Sequence, residues 1–391
     1  MEVLAVMPAR GGSKGVVRKN VRSLAGKPLI THAIEFCRSA EVVCRVIVST
    51  DDAEIAAVAE QHGAEVMWRP AEISGDEARS EDAVLHVLGE LRECEQYVPD
   101  IVLLVQCTSP LTLPADIDGT VQALFSENAD CALAVTPFHG FLWRADRDTG
   151  AVGINHDGSV RLRRQETEPQ FLETGAVYAM RIEGFLEARH RFFGRIALYV
   201  MPAERCLEID EVHDLVVAEV LVREQQRQMR AHELPRPLEG LVLDFDGVLT
   251  DNRVIVNDAG GESVICSRSD GWALGRLTEL GFPILVLSTE ENPVVQVRCG
   301  KLGIPCIQGS DNKLADLKRW AEEEAVDLSK IAYVGNDVND LPCLQSVGCG
   351  IVVSDAHPDV HTAAKIVLEK NGGQGAVREL VDMIVKRLKE G

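Results

Sequence analysis

Short apolar runs that stop at Gly, Asp or Ser, each followed by a segment with helical periodicity, recur along this chain in two series. A polar stretch separates the series. Nothing else in the sequence restricts the fold as much. Apolar runs of this length bounded by turn residues suit buried strands, and strand and helix in alternation suit a parallel sheet covered on both faces. In the first series, Val3–Met7, Val43–Ser49, Ala64–Trp68 and Ile101–Val105 are the expected strands. Leu29–Ser39, Ile55–Gln61 and Glu81–Glu93 are the expected helices. Less regular strands follow at Cys131–Val135, Thr174–Met180 and Ile196–Met201, then a long charged helix over Glu211–Gln228. The stretch Arg223–Gly240 is rich in Gln, Arg and Glu, and its Leu234-Pro235-Arg236-Pro237 stops a helix. Alternation restarts at Leu241–Phe245. It continues through helices over Ala273–Leu280, Lys313–Ala325 and Gly375–Leu388, with strands over Ile284–Ser288, Ile331–Val334 and Gly350–Val353. The expectation is an α/β protein of two domains, 1–230 and 241–391, joined by a linker over 231–240.

Composition limits the partners. The formal net charge of −21 argues against nonspecific binding to nucleic acid or an anionic membrane. No apolar run is long enough to span a bilayer, and no secretory signal is visible. The eleven cysteines are scattered without a Cys-x-x-Cys pair. They read as free thiols of a cytoplasmic protein, with no zinc site.

Two stretches carry chemistry. The first is Pro8-Ala9-Arg10-Gly11-Gly12-Ser13-Lys14-Gly15, directly after the first strand. Glycines let a backbone turn sharply and approach a ligand, and exposed amides beside Arg10 and Lys14 suit a polyphosphate. The spacing is neither that of a Walker P-loop nor G-x-G-x-x-G. Glu208 and Asp210 are two residues apart, so an extended backbone puts both carboxylates on one face, where they suit a hard cation.

The order and spacing of Met7–Gly15, Lys19-Asn20, Gly26–Ile30, Val48–Asp51, Arg69–Glu72, Leu104–Leu111, Arg163–Gln165, Gly175–Tyr178 and Glu208–Asp210 resemble the CMP-sialic acid synthetases (acylneuraminate cytidylyltransferases). The resemblance covers roughly residues 1–225. It implies a nucleotidyltransferase domain with a Rossmann-like fold, in which CTP and a sialic-type sugar acid give a CMP-sugar and pyrophosphate with Mg²⁺. By resemblance, Arg10, Gly12, Ser13, Lys14 and Lys19 hold the triphosphate, with Lys19 taken as catalytic. Asn20, Asp51, Arg69, Ser80 and Gln106 surround the nucleotide or sugar. Arg164 is the catalytic arginine that meets the sugar-acid carboxylate, which a planar guanidinium takes bidentately. Arg161 and Arg163 flank it. Phe192-Phe193 resembles an aromatic pair that lines a partner subunit's pocket in bacterial members, but from the sequence alone core packing is the stronger reading of such a pair. The family has Asp-x-Asp where this chain has Glu208-Ile-Asp210.

The second stretch is Leu243-Asp244-Phe245-Asp246-Gly247-Val248-Leu249-Thr250-Asp251. Two carboxylates flanking one residue at a strand end can reach one phosphate, one as nucleophile and one as proton donor. Ser288, Lys313 and Gly335-Asn336-Asp337-x-x-Asp340 follow, each at a strand end or helix start. The set resembles the four motifs of haloacid dehalogenase (HAD) superfamily phosphatases, and so implies a second Rossmann-like domain. By that resemblance Ser288 holds the phosphoryl group and Lys313 offsets charge beside the nucleophile. Asp244, Asp337 and the Asp246 carbonyl would ligate Mg²⁺. Asp355-Ala-His-Pro358 and Gly372–Glu379 resemble the small, capless phosphatases of keto-sugar acid 8- or 9-phosphates, which are tetramers. There Arg268 approaches the substrate, and Glu290 favours a nonulosonic acid 9-phosphate over an octulosonic acid 8-phosphate.

Together the halves imply a bifunctional enzyme with CTP, a nonulosonic acid such as Kdn or N-acetylneuraminate, and its 9-phosphate as substrates. The resemblance also implies a homo-oligomer, dimeric through the first domain and tetrameric through the second. Two alternatives remain at this level: a second domain that only tetramerises, or an octulosonate (Kdo-type) pair of activities.

Overall fold

The computed structural model describes residues 1–13, 15–75, 77–148, 150–160, 163–166 and 168–390, without the side chains of Arg164 and Glu390. The chain divides into two compact units, Met1–Glu224 and Gln225–Gly391. The boundary falls inside the helix Val212–Glu233. Leu234 and Leu238, from the stretch expected to be a linker, are buried in the core of the second unit.

The first unit is built on seven strands: β1 (Val3–Pro8), β2 (Arg45–Thr50), β3 (Glu65–Trp68), β4 (Ile101–Val105), β5 (Cys131–Phe138), β6 (Gln170–Arg181) and β7 (Ile196–Val200). Their order is β7-β5-β6-β4-β1-β2-β3. Every residue of β4 and nearly every residue of β1 is buried, so these strands lie between helical layers and need apolar side chains on both faces. The sheet is mixed, where the alternation pointed to a largely parallel one. β6 runs antiparallel to both β4 and β5. It has a register shift between Glu173 and Tyr178, where Gly175 sits at φ 71°. A Cβ there would lie 2.9 Å from Glu208 Oε2, so the bend brings the backbone against that carboxylate. The helices Leu29–Ser39, Ala53–Gln61, Ser80–Glu95, Pro114–Ser126 and Ile182–Ala188 belong to this unit, as does a short hairpin of Trp143–Asp146 with Gly150–Gly153.

The second unit centres on a six-stranded parallel sheet. Its strands are β8 (Gly240–Leu243), β11 (Ile284–Leu287), β12 (Cys306–Ile307), β13 (Ile331–Gly335), β14 (Cys349–Val352) and β15 (Ile366–Val367), after the outlying hairpin β9 (Thr250–Val256) and β10 (Glu262–Cys266). The sheet order is β12-β11-β8-β13-β14-β15. Leu243 pairs with Val286 on one side and Val334 on the other. This register aligns the carboxyl ends of β11, β8 and β13, the edge where ligands bind in open α/β sheets. The turn Gly372-Gly373 packs onto the loop after β8: Gly373 N donates to Val248 O at 2.9 Å, and a Cβ on Gly372 would lie 1.8 Å from Gly247 O. Asp270, almost fully buried, anchors the following helix by accepting from Gly375 N and Arg378 N. All eleven cysteines are free. No described helix is long and apolar enough to cross a membrane.

Candidate active sites

In the first unit the loops after β1, β2 and β4 converge with the segment Glu208–Asp210. Gly11 N donates to Asp51 Oδ1 at 2.9 Å, tying the loop after β1 to that after β2. Asn20, buried, donates to Arg10 O at 3.1 Å and accepts from Cys107 Sγ, linking the same loop to the end of β4. Arg10 Nη1 donates to Gly75 O. A Cβ on Gly12 would meet nothing within 4 Å, so the loop is open at that residue, and Ser13 N donates to Gly11 O. A Cβ on Gly15 would lie 2.1 Å from Asp210 O, which makes glycine a packing requirement there. Lys14 lies outside the described residues, as does Arg161.

Lys19 Nζ donates to Ile209 O at 2.6 Å and lies 3.4 Å from Asp210 Oδ1. Glu208 Oε1 accepts from Thr108 Oγ1. Burial first, then the charge of Asp210, pushes the Glu208 carboxyl above its ordinary range. A cation beside the pair would oppose both effects. Arg69 reaches back along β2, donating to Ser49 O at 2.6 Å and to Ser49 Oγ. Gln106 follows β4 and accepts from Thr108 Oγ1, and Ser80 opens the helix Ser80–Glu95. Arg164 begins a short turn, Arg164–Glu166, and its side chain lies outside the described atoms. Phe192 packs edge-on against Tyr178 with ring centroids 5.9 Å apart, and Phe193 would collide with any Cβ on Gly184, so both rings pack within this unit.

One ion pair here escaped the sequence reading. Arg191 donates to the buried Glu81 at 2.7 Å and lies 4.5 Å over the Tyr178 ring, whose hydroxyl donates to Glu173. The partners are far apart in sequence, and no local spacing marks them.

In the second unit, Asp244 follows β8, Ser288 follows β11 and Asn336 follows β13. Lys313 starts the helix Lys313–Glu323, whose first turn Asn312 caps. Its ammonium lies 2.7 Å from Asp244 Oδ1 and 2.8 Å from Asp340 Oδ1, with all three residues buried. Asp340 also accepts from Tyr333 OH at 2.6 Å and from Asn336 N at 2.9 Å, so its carboxylate is fully paired. A Cβ on Gly335 would lie 2.5 Å from Asp340 Oδ2. Burial works against the Lys313 charge, and Asp244 and Asp340 more than offset it. Burial, then Asp340, pushes Asp244 upward, with Lys313 pulling the other way. Lys313 therefore favours the anionic, nucleophilic form of Asp244.

Asp246 is the counterpart. Burial, then Glu290, pushes its carboxyl above its ordinary range, and Thr250 Oγ1 donates to it at 3.3 Å. A raised carboxyl suits a proton donor to a leaving oxygen. Ser288 is buried, and its hydroxyl accepts from Glu290 N. Glu290 accepts from Asn292 N at 2.8 Å, a local turn contact, and Arg268 is an exposed residue in the first turn of the helix Arg268–Glu279. Asp337 is exposed and accepts from its neighbour Val338 N. Asn336 instead faces Asp244: one end of its amide lies 3.1 Å from Asp244 Oδ2 and 2.9 Å from Asp246 O.

Among the described residues no group of three or more His, Cys, Asp or Glu side chains is arranged to hold a metal ion. Mg²⁺ does not need such a cage, because it keeps waters and substrate oxygens alongside one or two carboxylates. The Asp244 carboxylate and the Asp246 carbonyl approach the same Asn336 amide end, which gives a hard-oxygen donor set that fits Mg²⁺. When bound there, such an ion neutralises charge on a phosphoryl group.

The profile of the family described as Cytidylyltransferase matches residues 4–183, and that of haloacid dehalogenase-like hydrolases matches residues 302–380. N-acylneuraminate cytidylyltransferase A of Danio rerio is 30% identical over 398 residues, covering 98% of this chain and 88% of the relative. The 3-deoxy-D-manno-octulosonate 8-phosphate phosphatase of Escherichia coli strain K12 is 34% identical over 146 residues, covering 37% of this chain and 78% of the relative. A solved 3-deoxy-D-manno-octulosonate 8-phosphate phosphatase from Moraxella catarrhalis, in complex with magnesium, phosphate and KDO, is 30% identical. It covers 41% of this chain and 91% of its own, with a TM-score of 0.38.

Two outcomes follow from this geometry. Asp340→Asn removes one of the two carboxylates that fix Lys313, and lowers phosphatase kcat about 10- to 100-fold, the usual cost of losing an outer-shell partner. Cytidylyl transfer by the same preparation stays at the wild-type rate; equal phosphatase rates in variant and wild type contradict the assignment. Glu290→Gln removes a charge that raises the Asp246 carboxyl, so Asp246 loses its proton at lower pH. The alkaline limb of the kcat profile therefore moves to lower pH, and an unmoved or upward-shifted limb contradicts Asp246 as the proton donor.

Proposed function

The chain belongs to the N-acylneuraminate cytidylyltransferase family, and from that premise we propose that it is bifunctional. The first unit transfers CMP from CTP to a nonulosonic acid and releases pyrophosphate. The second hydrolyses the 9-phosphate of that acid. The observation that carries the second activity is the buried bridge of Asp244, Lys313 and Asp340, with the half-buried Asp246 two residues from Asp244. A domain kept only for assembly has no need to bury three charges beside one another, because burying charge is costly unless the geometry is used.

In the transferase site, Arg10, Ser13, Lys14 and Lys19 hold the triphosphate and Glu208 with Asp210 holds Mg²⁺. Asn20, Asp51, Arg69, Ser80 and Gln106 enclose the nucleotide and sugar. Arg164 takes the sugar carboxylate. The sugar hydroxyl attacks the α-phosphate, and the bond to the leaving pyrophosphate breaks as the new ester bond forms. In the phosphatase site, Asp244 attacks phosphorus while Asp246 protonates the ester oxygen. Water, deprotonated by Asp246, then releases phosphate from Asp244. Ser288 and Lys313 hold the phosphoryl oxygens, with Arg268 and Glu290 towards the sugar. Glu290 favours a nine-carbon acid, such as Kdn or N-acetylneuraminate. The similarity of the whole chain to an N-acylneuraminate cytidylyltransferase supports this choice, because an N-acylneuraminate is itself a nonulosonic acid.

A CTP-dependent pyrophosphate assay over free nonulosonic and octulosonic acids, run beside a phosphate assay over their 9- and 8-phosphates, tests the proposal. Pyrophosphate with a nonulosonic acid and phosphate from its 9-phosphate are expected, with Asp244→Asn abolishing only the second. No phosphate release from any sugar-acid phosphate by the wild type sinks the bifunctional reading. A preference for the octulosonic pair replaces the substrate class.

The hairpin β9–β10 supports a homo-oligomer through the second unit. It is a lone two-stranded ladder with Val254, Ile255, Val256 and Ile265 all more than half exposed, and such ladders are marginal without a covering surface. Light scattering is expected to give a multiple of the 42.7 kDa chain mass, and a monomer at micromolar concentration contradicts it.

A further inference from the structure

The first unit has a second concavity, and no residue of the candidate transferase site lines it. It encloses about 770 Å³ between the helices Ser80–Glu95 and Ile182–Ala188, residues 97–99 and the turn Ala71–Ile73. A volume of this size suits a small molecule. Leu85, Leu88, Tyr97, Pro99 and Ile182 give it an apolar lining, and Val98 and Leu186 stand exposed beside them.

Two features of the cavity have no origin in the packing around it. The first is Gly89, which lines it from the interior of the helix Ser80–Glu95. Glycine there weakens the helix relative to alanine, a cost that close approach of a neighbour would justify. No neighbour approaches: a Cβ on Gly89 would meet nothing within 4 Å. What the missing side chain leaves is room in the cavity. The second feature is a pair of guanidiniums. Arg92 lies three residues beyond Gly89 and so on the same helix face, and Arg189 ends the helix Ile182–Ala188 at φ 50°. Both line the cavity, and among the described residues neither side chain forms a hydrogen bond or an ion pair. Of the two carboxylates beside them, Asp82 is taken by Arg79 at 2.8 Å, which leaves Glu72 against two cations. In a chain of net charge −21, an apolar cavity with a local excess of positive charge selects its occupant by charge.

We propose that this cavity is a binding site for a small organic anion with an apolar body: a ring system or short hydrocarbon chain that bears one carboxylate, sulfonate or phosphate. The body lies against Leu85, Leu88 and Ile182 in the space that Gly89 leaves open. The anionic group is met by Arg92 and Arg189, whose planar donor forks suit such oxygens. A free sugar acid does not fit this lining, because its hydroxyls would face apolar side chains without partners. The site is therefore distinct in chemistry, as well as in place, from the one that takes the triphosphate and the sugar.

Fluorescence titration of the full chain with 8-anilinonaphthalene-1-sulfonate, two apolar ring systems with one sulfonate, tests this beside the uncharged N-phenyl-1-naphthylamine. Gly89→Trp fills the cavity and is expected to raise the dissociation constant of the sulfonate roughly 10-fold or more, while Gly89→Ala leaves it within about 2-fold. Both substitutions raise helix propensity, so both variants are expected to melt no lower than the wild type. Arg92→Ala combined with Arg189→Ala is expected to weaken the sulfonate roughly 10-fold, the scale of lost charged hydrogen bonds, and to leave the uncharged amine within about 2-fold. Equal binding of the sulfonate by the wild type and Gly89→Trp overturns the proposal. So does an equal loss of both probes in the double arginine variant. A Gly89→Trp protein with a smaller mass by light scattering than the wild type also overturns it, because the cavity then faces a second copy of the chain.

Discussion

The interaction on which the second unit depends is the bridge from Asp340 through Lys313 to Asp244. An ammonium 2.7 and 2.8 Å from two buried carboxylates is costly to assemble unless every partner is present. Here they are present. Tyr333 reaches in from β13, Asn336 N and Asp337 N close the turn that follows, and the helix Lys313–Glu323 supplies the cation. The loops after β8 and β13 are thereby fixed to one another through charge as well as through strand pairing. The close approach of Gly372 and Gly373 to the loop after β8 completes the support. The site consequently rests on rigid elements, and Asp244, Lys313 and Asn336 are held in place before any substrate arrives.

The first unit solves a different problem by different means. Its candidate site depends less on buried ion pairs than on a glycine loop anchored at strand ends by its backbone. Gly11 is tied to Asp51, Arg10 O to Asn20, and Gly15 is pressed against Asp210 O. A triphosphate is bound by many donors at once, and a loop of glycines anchored at several points presents them without long side chains. Glu208 and Asp210 add a pair of carboxylates whose mutual repulsion a cation relieves. The overall charge of −21 is compatible with anionic substrates because these local cations and amides act at contact distance.

Much of this was legible in the chain. The strand ends that bear Arg10, Gln106, Asp244 and Ser288 are announced by apolar runs that stop at polar or glycine residues, and burial on both faces makes those runs hard to mistake. The antiparallel course of β6 was not legible, since an apolar run carries no sign of its direction. The ion pair of Arg191 with Glu81 depends on two distant segments meeting, which no local pattern encodes. Asp340 was visible as a spacing beside Asp337, yet its partners Lys313 and Tyr333 were not. At the same turn the sequence directed attention to the charged Asp337, while the structure turns the neutral Asn336 towards Asp244. A carboxylate is the expected ligand on chemical grounds alone, and only the backbone course after β13 decides which side chain faces inward.

The central claim is that two sites on one chain act in succession on one sugar acid. It is tested most directly by phosphorus NMR of a single vessel holding the protein, Mg²⁺, CTP and a nonulosonic acid 9-phosphate. The account predicts inorganic phosphate first, followed by a CMP-sugar phosphodiester and pyrophosphate in equal amounts, with neither of the last two formed by Asp244→Asn. A CMP-sugar that still carries its 9-phosphate, or pyrophosphate that appears without prior loss of phosphate, would contradict it.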